Sequence, residues 1–167
     1  MNKIKAINII DKRNSLSTEI SKYWNIMRVE NIVGRNYTRN YDLKALFTMI
    51  KGLADQRVTA KLQLLCLNLG ITKFSDLPLD SNQINIFKLC ELTEQKVQLG
   101  QIKTLSPKLK AAKGKNNLSK TEALTSNWIK ARIDEIDLQI VELKKKMTEF
   151  NESTELDMSK APLALVA

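Results

Sequence analysis

The sequence predicts an all-α protein, and three observations carry that expectation. Glycine (5) and proline (3) are scarce and aromatic residues make up 5% of the 167 positions, too few turn and pleat formers for a sandwich or barrel. Apolar residues recur at threes and fours through most of the chain. Near the C-terminus, Ile129, Ile133, Ile136, Ile140, Leu143, Met147 and Phe150 stand at spacings of 4, 3, 4, 3, 4 and 3, an unbroken heptad seam. These patterns divide the chain into one helical domain over 1–150, interrupted by a lysine-rich loop over 100–118, and an extended tail over 151–167.

A first long helix is expected over 3–33. Ala6, Ile9, Leu16, Ile20, Tyr23 and Met27 share one stripe, in which Arg13 takes a single seam position, and Gly34 ends it. Asn40 or Asp42 then caps a second helix, whose face carries Leu43, Leu46, Phe47, Ile50, Leu53, Ala54, Arg57 and Val58. From Lys61 to Leu67 apolar residues go nearly all the way round, the mark of a buried helix. Asn68-Leu69-Gly70-Ile71 reads as a Schellman stop. Asp80 or Ser81 caps a third helix of about 82–103, bearing Ile84, Ile86, Phe87, Leu89, Cys90, Val97 and Leu99. Ser119-Lys120-Thr121-Glu122 has the form of a capping box and is expected to open the last helix. The first and last helices are expected to be the longest and to pair as an antiparallel coiled-coil-like hairpin on a small helical core. A second copy or another protein is the alternative partner for the seam.

Function is narrowed chiefly by what is missing. With no histidine, imidazole acid–base catalysis, Ser-His and Cys-His pairs and imidazole metal ligands are excluded. Cys66 and Cys90 cannot complete a zinc site and read as small core residues, with a disulfide or reactive thiol as the alternative. The five glycines stand 14 to 30 residues apart, and Lys113-Gly114-Lys115 is only the tail of a phosphate loop. Asp134, Glu135 and Asp137 form the densest acidic cluster; two carboxylates on one face make a weak cation site, and Lys130 and Arg132 offer ion pairs instead. No catalytic residue, cofactor, metal or small-molecule substrate is expected. No run of 18 apolar residues is present, and residues 1–10 do not read as a signal peptide, so a protein neither secreted nor membrane-spanning is expected.

The formal charge of +9 is uneven: +6 over 1–51, −1 over 52–94, +7 over 95–120 and −3 over 121–167. Lys103, Lys108, Lys110, Lys113, Lys115 and Lys120 make the basic loop, and Arg35, Tyr37, Arg39 and Tyr41 a smaller basic-aromatic cluster. A solvated loop, an acidic protein surface and nucleic acid all fit the former. Leu163, Leu165 and Val166 make the tail a candidate docking peptide. Lysine, isoleucine and asparagine fill 51 of 167 positions, a composition that A+T-rich coding produces. Together these features lead to a non-enzymatic component of a large protein assembly. A virion accessory protein that decorates or bridges capsid subunits is the particular form expected, in a virion or cytoplasmic assembly. Its partners would be protein subunits, its own copies included. A basic helical nucleic-acid-binding protein using the 103–120 lysines is the alternative.

Overall fold

Four helices, α1 (Ala6–Glu30), α2 (Leu43–Asn68), α3 (Asn82–Gly100) and α4 (Ser126–Ser153), build the computed structural model, which describes residues 4–71, 73–78, 81–106, 108 and 120–155. Helix accounts for 74% of the described residues. Asp42 caps α2: its carboxylate accepts from the backbone N–H of Lys44 (2.9 Å) and Ala45 (3.2 Å). The end of α2 is a Schellman motif. Gly70 takes φ +71°, its N–H donates to the Leu67 carbonyl, and the Ile71 N–H donates to Cys66. Ser81 occupies the N-cap position of α3 without a capping side-chain bond.

Successive helices run antiparallel, and polar contacts set their register. Arg57 of α2 donates to Ser17 Oγ of α1 (3.3 Å) and pairs with Glu91 of α3, while Lys96 of α3 pairs with Asp137 of α4 (2.5 Å). Seven to ten residues toward the other end, Trp24 meets Phe47 and Phe47 meets Trp128, both edge to face, at centroid distances of 6.0 and 5.5 Å. Met27, Ile50, Leu99 and Leu124 are fully buried in this same core. Between α1 and α2 lies strand β1 (Ile32–Gly34), and before α4 lies β2 (Lys120–Glu122). They pair antiparallel, with Ile32 opposite Glu122 and Gly34 opposite Lys120.

Several expectations change. The terminal helices do not form a hairpin: α1 packs on α2 and α4 packs on α3. Helices adjacent in sequence reach each other through the shorter connection, whereas a heptad stripe reports the width of an apolar face and not its partner. At 26 residues α2 exceeds the 25 of α1, and α4 is longest at 28. The capping-box residues Lys120, Thr121 and Glu122 are strand; Thr125 caps α4 instead, accepting from the Trp128 N–H at 3.2 Å. Helix α1 stops at Glu30 because Ile32 and Val33 are drawn into the ladder, and α3 stops at Gly100 rather than 103. The 61–67 segment is not enclosed, since Leu67 is exposed.

The seam of α4 is buried at its start and uncovered toward its end. Ile129 and Ile136 lie in the core, Ile133, Ile140, Leu143 and Met147 are half-buried, and Phe150 is 37% exposed. Ile136→Asp is therefore expected to cost several kcal/mol, as an unpaired charge in a sealed core does. Phe150→Asp should leave thermal melting within about 0.5 kcal/mol of the parent, as exposed substitutions do. Equal melting of the two variants would contradict this gradient of burial.

Candidate functional site

The ladder end of the bundle gathers residues far apart in sequence. Asn31, fully buried just after α1, is its knot. Its Nδ2 donates to the carbonyls of Lys103 (2.8 Å) and Leu124 (3.0 Å), and its Oδ1 accepts from the Leu124 N–H (2.6 Å). Arg39 adds a second tie, donating to the carbonyls of Glu30 (3.0 Å), Asn31 (3.1 Å) and Thr121 (2.8 Å). Glu122 accepts from the Leu105 N–H at 2.7 Å. Arg28 donates to Gln98 across from α3. These bonds carry the segments after α1, after α3 and before α4 into one surface.

On that surface lie Arg35, Lys103, Lys108 and Lys120, all exposed, with Tyr37 and Tyr41 each nearly half exposed. The acids here are occupied. Glu30 is turned inward and accepts from the Tyr37 hydroxyl (3.2 Å), Asp42 caps α2, and Glu122 holds Leu105. The Tyr37 pKa is raised above 10.0, first by that hydrogen bond to Glu30 and then by burial and nearby charge. Only the neutral phenol donates the bond, so its contribution is complete below pH 10.0 and lost as pH rises through the raised value. Of the expected loop lysines, Lys103, Lys108 and Lys120 belong to this surface; Lys110, Lys113 and Lys115 lie outside the described residues.

The opposite end is apolar. Ile7 lies ten residues before Ser17 and Leu67 ten after Arg57, so the antiparallel register sets them at one level, about 15 Å beyond that contact. Ile4, Ile7, Leu67, Leu69 and Phe74 are between 44% and 63% exposed here. The register through Glu91 and Asp137 brings the end of α4, with Met147 and Phe150, to the same end. Leu163, Leu165 and Val166 of the expected docking tail lie outside the described residues.

The acidic cluster on α4 is taken up by ion pairs: Lys130–Asp134 (2.6 Å), Arg132–Glu135 (2.6 Å) and Lys96–Asp137 (2.5 Å). Among the described residues no group of three His, Cys, Asp or Glu is placed to hold a metal ion. Cys66 is buried as expected, but Cys90 is exposed, on the side of α3 turned from the core; both are free thiols. No helix among the described residues is long and apolar enough to cross a membrane.

Asn31 escaped the sequence reading because it sits inside the expected first helix; its one signal is a lone amide between Val29 and Ile32-Val33. The exposed apolar end escaped because Leu67 read as part of a buried helix and Ile4, Ile7, Leu69 and Phe74 belong to no periodic stripe. No protein-family model, curated protein or solved structure matches this chain.

Proposed function

We propose that this chain is a non-enzymatic structural subunit of a larger protein assembly, joined through its apolar end. The observation that carries the reading is the collection of Ile4, Ile7, Leu67, Leu69 and Phe74 on one exposed end of the bundle. Apolar side chains left exposed together at one end are costly to leave in water and are a common feature of association sites. A two-fold end-to-end pairing of two copies would bury these side chains against one another. The role of a virion accessory protein, decorating or bridging capsid subunits, is the finer form of this reading and draws its support from the A+T-rich composition.

Sedimentation velocity of the full chain tests the pairing. The parent is expected to shift from monomer to dimer as protein rises into the tens of micromolar, and to keep doing so at high salt because apolar contact is not screened. The Ile7→Asp, Leu69→Asp double variant should stay monomeric with unchanged helicity, both positions being exposed. A parent that is monomeric at every concentration overturns the reading.

A further inference from the structure

The ladder end presents a different surface, independent of the apolar end. We propose that it binds single-stranded nucleic acid, with Lys103, Lys108 and Lys120 gripping phosphates and Tyr37 and Tyr41 stacking on unpaired bases. Pairing of Gly34 with Lys120 sets the cation at the end of the lysine-rich segment beside the Arg35–Tyr41 turn, 85 positions away in sequence. The Asn31 bond to the Lys103 carbonyl brings the start of that segment to the same place. Lys108 follows three residues after Leu105, whose N–H is held by Glu122, so it stays within about 10 Å of that anchor.

The local balance of charge is one-sided. Lys103, Lys108 and Lys120 are exposed here, and with Arg35 and Arg39 they make five cations against the three acids Glu30, Asp42 and Glu122, each of which is bonded to a group of the protein itself. Arg39 is used internally, on three carbonyls. A cationic surface alone fits any polyanion. Two exposed phenol rings among the cations fit a narrower class, because a ring face stacks on a base only where the base is unpaired. A duplex would meet the lysines and leave the rings idle, and an acidic protein has no bases to offer them. Tyr37 is also held ready: its hydroxyl is fixed on Glu30, which orders the ring before any ligand arrives.

Fluorescence anisotropy of the full chain with a labelled oligothymidylate of about one to two site lengths tests this. Binding is expected, weakening steeply with salt. Lys103→Gln with Lys120→Gln should lower the slope of log K against log salt by about 1.4, the release expected from two phosphate contacts on a single strand. Tyr37→Ala and Tyr41→Ala should each weaken binding at least about fivefold at every salt concentration, whereas Tyr37→Phe, which keeps the ring and loses only the Glu30 bond, should bind as the parent does. Circular dichroism checks that each variant keeps its helix. Absence of binding, equal affinity for a duplex of the same length, or affinity indifferent to both alanine substitutions overturns the proposal.

Discussion

Asn31→Leu is expected to destabilise the fold by about 3–6 kcal/mol, a large share of what a domain of this size has to lose. Leucine keeps the branched heavy-atom skeleton of asparagine, so the loss is chiefly polar. It removes the side-chain partner of the Lys103 and Leu124 carbonyls and of the Leu124 N–H, all three of which bond to Asn31. Each buried group left without a partner costs about 1–3 kcal/mol. At two to four degrees per kcal/mol for a chain of this length, thermal melting should fall by at least about 6 °C. The exposed Asn36→Leu is the control and should melt as the parent does. The loss should also be felt locally: amide exchange at Ala123 and Leu124, which join the segment before α4 to Asn31, should speed up first. Melting unchanged from the parent would mean that the three segments are held together by the ladder and Arg39 alone.

What was legible in the sequence follows from how local each signal is. The Asp42 cap and the Gly70 stop depend on a few consecutive residues, and both formed as read. The apolar face of α2 was legible for the same reason, Arg57 included. The partner of each helix was not legible, because periodicity marks a face and says nothing of what covers it. Hence α4, with the clearest seam, packs on α3 and not on α1. The capping-box pattern at 119–122 failed against a non-local competitor: Ile32, Val33 and Gly34 offer backbone partners to Lys120, Thr121 and Glu122, and Thr125 supplies the cap a few residues on. Of the candidate contact residues, the charge over 95–120 was plain from composition, whereas its meeting with Arg35 and Tyr37 needed the ladder. Of the apolar end only Leu67 was read from the sequence, as part of a buried segment, since apolar spacing does not show what covers a helix end.

Arg57→Met is expected to cost about 3 kcal/mol, although it replaces a charged side chain with an apolar one of similar reach. Arg57 stands on the apolar face of α2, and both it and Glu91 are buried where α1, α2 and α3 meet. Its guanidinium donates to both Glu91 oxygens, to Glu94 (2.6 Å) and to Ser17 Oγ. Burial pulls the Arg57 pKa down, but the hydrogen bonds and charges of Glu91 and Glu94 outweigh it, so the pKa is raised and the group stays cationic. Removing the cation leaves Glu91 buried with Lys61, 2.8 Å away, as its remaining ion-pair partner among the described residues. That remaining pair holds the loss near the lower end of the 3–5 kcal/mol range for a broken buried pair. The double variant Arg57→Met, Glu91→Leu should recover most of the loss, because no uncompensated charge then remains in the core. Lys61, partly exposed and already lying over the Phe87 ring, can turn its ammonium to water. Melting of the four proteins in the cycle gives the coupling, expected to exceed about 1 kcal/mol in favour of the pair. Additive losses, with the double variant worse than either single one, would show that Arg57 acts through packing and that the charge pair does not set the register of α2 on α3.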